Sequence, residues 1–127
     1  RNPVLPPHYI AEGAKVENTM ITEGCEIGGE VDFSILFAGV KVEKGAVVRD
    51  SIVMPGSVIK SGASVQYAII AENVTIEENA TVGCRPECID DKDKWGIAVV
   101  AGGVTVGKNA TVPPKAMLDH DVHGEVK

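Results

Sequence analysis

Residues 36–82 read LFAGVKVEKGAVVRDSIVMPGSVIKSGASVQYAIIAENVTIEENATV, in which one short motif keeps returning. A Leu, Val or Ile recurs at intervals of six residues, with an occasional five, and Gly or Asn often follows three places later, as in Leu36-Phe-Ala-Gly39 and Ile59-Lys-Ser-Gly62. This interval fits neither a helix nor a coiled-coil heptad. Gly and Asn accept positive φ at low cost, so their regular return predicts regular corners. The stretch is typical of short strands that stack as repeats around a long core.

The six-residue intervals are grouped into a longer repeat of three sides. Leu36, Val53 and Ile70 follow one another at equal intervals, each made of two sixes and a five. Three sides per turn predict a triangular coil. The interval from Ile21 to Leu36 is shorter than the others, which predicts a shortened corner around Gly28-Gly29.

The predicted fold is all-β: a single-stranded left-handed parallel β-helix, or hexapeptide-repeat solenoid, with about six triangular coils. The left hand is taken from the resemblance to other hexapeptide-repeat folds. Small residues at Ala14, Cys25, Ala46 and Ser57 are expected to fill the interior beside the aliphatic core. The predicted core positions are Leu36, Val42, Val48, Val53, Ile59, Val65, Ile70, Ile76 and Val82.

The repeat fails at about 83–97, where a polar, charged stretch carries the only Trp, Trp95. We expect a protruding loop here, and long loops often carry function in such folds. Trp95 folding back over the adjacent coil is the structural alternative. After Val112, two prolines are expected to end strand pairing, and the remaining residues to cover the last coil.

Composition limits the classes of partner. The net charge of −6 argues against nucleic acid or an anionic membrane. No apolar run is long enough for a membrane span, and no signal peptide is visible.

The chain opens at Arg1 in a Pro-rich segment, so residues 1–9 are interpreted as a linker end and 10–127 as the β-helix domain of a longer protein. The three cysteines favour reduced thiols in a cytoplasmic protein.

Two kinds of chemistry that such coils can carry require histidine. Acyltransfer needs a positioned histidine base, and hydration of the gamma carbonic anhydrase kind needs three histidine ligands. The histidines here are His8, His120 and His123, all near the termini, so neither chemistry is favoured. Cys84 and Cys88 lack the further ligands of a structural zinc site. We therefore predict no catalytic residue and no metal or cofactor in this domain, which leaves a coil that assembles or regulates an enzyme.

Several segments are more specific than the repeat itself. The entry Asn2-Pro-Val-Leu-Pro-Pro-His-Tyr-Ile10, the segment Val48-Arg-Asp-Ser-Ile-Val-Met-Pro-Gly56, the pattern Trp95-Gly-Ile-Ala-Val-Val100 and the close Val112-Pro-Pro-Lys-Ala-Met117 resemble one family. That family is the C-terminal domain of bacterial glucose-1-phosphate adenylyltransferase, also called ADP-glucose pyrophosphorylase. The resemblance covers nearly the whole chain.

The resemblance implies a role within a larger enzyme. The full enzyme converts ATP and glucose 1-phosphate to ADP-glucose and pyrophosphate in glycogen biosynthesis. Its catalysis, its magnesium and its ATP belong to an N-terminal domain that is missing here. The β-helix domain then contacts its own catalytic domain and sister subunits in a homo- or heterotetramer. A stand-alone hexapeptide acyltransferase, or the same tail on another sugar-nucleotide transferase, is the alternative.

The resemblance also implies an effector site for a phosphorylated metabolite, with AMP or phosphate opposing it. By position, the effector arginines of relatives fall near Gln66-Tyr67 and in the irregular loop. This sequence has no Arg at 66 or 67. The loop offers Arg85, Lys92 and Lys94, which are the effector-binding candidates; ordinary solvated loop charge is the alternative.

One exterior patch predicts a contact with another domain or subunit. Phe37 and Met54 each follow a core aliphatic and lie one full coil apart, so they are expected to stack on one outer face. Arg49 has the same offset on an adjacent side. Neighbouring apolar groups on an exterior favour a covered surface, although incidental apolarity is the alternative.

Overall fold

A computed structural model of the protein describes residues 9–10, 14–83, 96–119 and 121. Its described residues form short strands joined by corners, with no helix among them. In chain order the strands are β1 (Tyr9–Ile10), β2 (Lys15–Glu17), β3 (Met20–Ile21), β4 (Glu26–Ile27), β5 (Glu30–Asp32), β6 (Ile35–Leu36), β7 (Lys41–Val42), β8 (Val47–Arg49), β9 (Ile52–Val53), β10 (Val58–Ile59), β11 (Ser64–Gln66), β12 (Ala68–Ile70), β13 (Thr75–Ile76), β14 (Thr81–Val82), β15 (Ala98–Val100), β16 (Thr105–Val106), β17 (Thr111–Val112) and β18 (Met117–Leu118).

Successive strands join three different sheets in turn. Sheet 1 contains β1, β4, β7, β10, β13 and β16; sheet 2 contains β2, β5, β8, β11, β14 and β17; sheet 3 contains β3, β6, β9, β12, β15 and β18. All the pairs are parallel, and Leu36 lies opposite Val53, which lies opposite Ile70. This is the predicted three-sided column, and it is consistent with a left-handed β-helix. Six strands in each sheet agree with about six coils.

The core is a narrow stack of aliphatic side chains inside the three sheets. Each of the nine predicted core positions, from Leu36 to Val82, is at most 1% exposed. Cys25, Ala46 and Ser57 are also buried, as predicted, and Ala14 packs against the edge of the core. Burying a Val or Ile side chain stabilises the fold by about 1.5–3 kcal/mol, so this repeated set supplies most of the apolar stabilisation.

The corners are of two kinds. The hexad corners carry the Gly and Asn residues that the sequence predicted, with φ of +72° at Gly39 and +55° at Asn73. The five-residue side between sheets 2 and 3 also turns through positive φ, but with other residue types. Phe33 (φ +46°) and Tyr67 (φ +49°) occupy equivalent positions there, although a bulky residue rarely adopts this conformation.

The shortened corner at Gly28-Gly29 is confirmed, and its cause is steric. A Cβ on Gly29 would collide with the carbonyl oxygen of Ala46 in the next coil, so only glycine fits this approach. The turn delivers Val31 to the interior, where it lies between Val16 and Val48 and is fully buried. Sequence reasoning did not include Val31 in the core, because the short side broke the six-residue count.

The repeat is interrupted between Val82 of sheet 2 and Ala98 of sheet 3, as predicted. Most of the interruption, including Trp95, lies outside the described residues. Backbone pairing in sheet 3 resumes at Ala98, whose amide donates a hydrogen bond to the Tyr67 carbonyl at 3.1 Å.

The expectation that strand pairing ends at the two prolines is wrong. Met117–Leu118 continues sheet 3 by pairing with Ala98–Val100. Pro113 and Pro114 lie in the corner before this strand, where the missing N–H costs no ladder bond. Lys115, with φ +67°, completes the turn.

Candidate assembly surface and charged cluster

Phe37 and Met54 lie on the same outer face, as their spacing predicted. They follow the inward residues Leu36 and Val53 of neighbouring sheet 3 strands, and the Phe37 amide donates to the Val53 carbonyl at 2.9 Å. Both side chains are partly exposed. The structure thus brings the two residues together, and their role in docking stays a prediction.

The apolar surface beside these two residues is larger than sequence reasoning predicted. Ile35 and Ile52 point outward from the same strands that direct Leu36 and Val53 inward. The missed signal was the run of adjacent aliphatics, since a strand with one solvated face normally alternates apolar and polar residues. The outer side of sheet 3 is therefore the candidate assembly surface.

Arg49 lies on sheet 2, the adjacent side expected from its offset, and it belongs to a cluster of charges. Its Nη2 donates to Glu30 Oε2 at 3.1 Å, and both side chains are about 30% exposed (30% and 32%). Lys15 Nζ lies 3.9 Å from carboxylate oxygens of Glu30 and Glu17. With Asp32, these five residues form what we call the charged cluster: Lys15, Glu17, Glu30, Asp32 and Arg49.

The charged cluster lines an open recess of about 200 Å³. Asp32 Oδ1 is buried there without a hydrogen-bond partner within the described residues, so it can accept a bond from a donor in the recess. The cluster holds three carboxylates against two cations. Its net negative charge does not favour a phosphate ligand.

A second recess of about 440 Å³ lies at the shortened side, next to the charged cluster. The backbone of Gly28 and Gly29 forms part of its wall, and Lys15 and Lys44 stand at its edge. The recess exists because the short side of this coil falls inside the outline of its neighbours. It is open to solvent.

The remaining predicted site residues divide between described and undescribed parts of the chain. Cys25 is fully buried, and its thiol donates to the Phe37 carbonyl at 3.0 Å, in agreement with an inert thiol. Arg85, Lys92 and Lys94 lie outside the described residues, as do all three histidines.

Among the residues that are described, no group of three or more His, Cys, Asp or Glu side chains could hold a metal ion. That part of the chain also contains no helix able to span a membrane.

Comparison with known protein families gives one match over most of the chain. The model of the family described as "GlmU-like, C-terminal hexapeptide" matches residues 8–107.

Comparison with curated proteins gives shorter and closer matches. The chain is 56% identical over 50 residues to a glucose-1-phosphate adenylyltransferase of Clostridium beijerinckii. It is 60% identical over 50 residues to proteins of the same name from Bacillus thuringiensis and Bacillus anthracis. In each case the aligned segment is 39% of this chain and 13% of the relative, so the chain spans only a small part of these proteins.

Proposed function

Because the chain belongs to the GlmU-like, C-terminal hexapeptide family, we propose that it is the C-terminal assembly and regulatory domain of a glucose-1-phosphate adenylyltransferase. The observation that carries this proposal is the 56–60% identity over 50 residues to proteins of that name. The reaction proposed for the full-length protein is the conversion of ATP and glucose 1-phosphate to ADP-glucose and pyrophosphate, in glycogen biosynthesis in the cytoplasm.

In this proposal, catalysis takes place outside these 127 residues. An N-terminal catalytic domain would bind ATP and magnesium, and the β-helix domain would contact it and the sister subunits of a homo- or heterotetramer. The aliphatic interior supports this division of labour, since the buried residues of the described core are nearly all apolar.

The regulatory part of the proposal concerns a phosphorylated metabolite or AMP as effector. Arg85, Lys92 and Lys94 are its proposed ligands, because Arg and Lys bind phosphate through charge-assisted hydrogen bonds. The charged cluster on sheet 2 is a poor competitor, since its three carboxylates outnumber its two cations. This balance supports an effector site near residues 83–97 rather than on that sheet.

An assay of the full-length polypeptide that carries these residues tests the proposal. With ATP, glucose 1-phosphate and Mg²⁺, we expect release of ADP-glucose and pyrophosphate in equal amounts, and at most about one tenth of that rate with UTP or GTP. The chain described here, assayed in parallel by itself, should release neither product. A preference for another nucleotide, or activity in the isolated chain, would contradict the assignment.

A further inference from the structure

The outer side of sheet 3 is an unbroken column of apolar side chains. Each strand contributes one outward residue, and the register places each directly above the one before. The ends of the column are the most exposed, at 67% for the first residue and 82% for the last. In order, the six residues are Met20, Ile35, Ile52, Ile69, Val99 and Met117.

The other two sheets do not share this property. Outward residues of sheet 1 include Glu26, Lys41 and Thr75, and those of sheet 2 include the charged cluster. Every strand residue of sheet 3 is apolar, on both sides of the sheet. Parallel strands read as continuous apolar runs when both faces of their sheet are covered. Sheet 3 thus has the composition of a sheet buried on both faces.

The size of this face suits a contact between two proteins. Six strands spaced about 4.8 Å apart, on sides that run about five residues from corner to corner, give a face of roughly 29 by 16 Å, or about 470 Å². Two such faces would bury a little under about 1,000 Å², the low end for specific interfaces. The expected association is therefore reversible and concentration-dependent.

The column is also complementary to itself. A two-fold axis that lies in the plane of the contact, parallel to the strands and midway between β9 and β12, turns a second copy to face the first and reverses the order of its strands. Met20 then meets Met117 of the second copy, Ile35 meets Val99, and Ile52 meets Ile69. Flexible methionines would fill the two ends, while β-branched aliphatics would pack at the centre.

We propose that sheet 3 is the interface between two copies of this chain, packed face to face with their columns antiparallel. The inference deepens the assembly role proposed above and rests on it, because it assigns the sister-subunit contact to one sheet. It does not depend on which nucleotide or sugar the enzyme uses. Phe37 and Met54 would lie at the side of this interface, directly after β6 and β9.

The number of copies in the assembly tests the proposal. Sedimentation of the full polypeptide should give an even number of copies. An Ile52→Lys substitution should halve that mass at equal concentration and raise the dissociation constant at least about tenfold, because it buries an unpaired ammonium. Val58→Lys is the matched control, since Val58 is an outward, partly exposed residue of sheet 1 in the same coil. It should sediment as the wild type does.

A second variant guards against misfolding at Ile52. Met20→Lys introduces the same charge at a position that is 67% exposed, where the fold should tolerate it, and it should also reduce the mass. Higher salt should not weaken the association, since the proposed contact is apolar and contains no ion pair for salt to screen. A contact built from ion pairs would weaken instead.

Cross-linking tests the antiparallel order. In a background of Cys84→Ser and Cys88→Ser, a mixture of Met20→Cys and Met117→Cys proteins should form a mixed cross-link, and Met20→Cys alone should form none. An odd-numbered or monomeric wild type, equal effects of Ile52→Lys and Val58→Lys, or a cross-link within the Met20→Cys sample would each overturn the pairing. The nucleotidyltransferase assay is read separately, so a failure of the enzymatic assignment would leave these results unchanged.

Discussion

Ser51 shows how one buried polar side chain connects successive coils. It is 3% exposed, and its Oγ donates to the Arg49 carbonyl at 2.7 Å while accepting from the Ala68 amide at 3.2 Å. Its own amide donates to Ser34 Oγ in the preceding coil at 3.2 Å. The corner between sheets 2 and 3 is too sharp to pair every backbone amide with a carbonyl. The serine hydroxyls supply the missing acceptors.

Replacing Ser51 with Ala should destabilise the protein by about 1–3 kcal/mol, because the Ala68 amide then stays buried without an acceptor. The Arg49 carbonyl keeps a partner, the Tyr67 amide at 3.1 Å, so the cost comes mainly from Ala68. Urea unfolding measures the change. Ser64→Ala is the control, since Ser64 is a partly exposed outward residue of sheet 2, and it should change stability by less than about 0.5 kcal/mol. Similar values for the two variants would contradict this account of Ser51.

At the scale of residues, the sequence predicted which residues point inward and which form corners. It did not predict the contacts between coils that hold particular residues in place. The inward aliphatics and the Gly and Asn corners follow directly from the repeat. Phe33 and Tyr67 at positive φ could not be predicted, because their conformation is imposed by the coils above and below rather than by local preference. The role of Ser51 was hidden for a similar reason, since its acceptor function depends on an amide in the next coil.

At the scale of elements, strands of two or three residues are stable only through their neighbours in the stack. Outward side chains then interact mainly along the columns of one sheet. In sheet 2 the register aligns Glu17, Asp32 and Arg49 in one column, and Lys15 with Glu30 in the next. The pairs Lys15–Glu30 and Asp32–Arg49 stabilise the pairing of adjacent coils, whereas Glu17 opposite Asp32 opposes it.

Arg49→Ala is expected to lower the free energy of unfolding by up to about 1 kcal/mol at low salt, since the surrounding carboxylates then repel one another. Lys41→Ala is the matched control. Lys41 Nζ lies 3.4 Å from Glu26, and both of these side chains are more than half exposed (57% and 58%), so its loss should cost less than about 0.5 kcal/mol. Urea titrations at low and high NaCl compare them. A loss for Arg49→Ala that grows with salt would rule out an electrostatic origin.

The sequence predicted the strands and their stacking order because the inward side chains must repeat. It predicted the exterior only in part. Phe37 and Met54 were found by their spacing, but the longer column through Ile35 and Ile69 was missed, since outward positions carry no constraint from the core. Arg85, Lys92 and Lys94 remain a prediction from family resemblance, and they lie outside the described residues.

At the scale of the whole molecule, the fold is close to one-dimensional. Within the described strands, each coil contacts the coils on either side, and no later strand returns to pair with an earlier coil further away. Stability should therefore be close to a sum of coil and interface contributions. Residues at the same place in successive coils, such as Ile52 and Ile69, are structurally equivalent. The additivity of coil contributions can therefore be tested by removing one whole coil.

Deleting residues 52–68 should remove one coil and leave the rest folded. The deletion joins Ser51 to Ile69, the residue equivalent to Ile52, so every inward side chain keeps its direction. We expect a β-rich circular dichroism spectrum and a single urea transition, with the denaturant dependence of unfolding reduced by about one sixth, in proportion to the surface that remains buried. Deleting residues 52–67 is the control, because this deletion shifts the chain by one position and turns the aliphatics of the following strand outward. That variant should not give a cooperative transition. If both deletions fold equally well, or neither folds, the coils are not the independent stacking units that the repeat predicts.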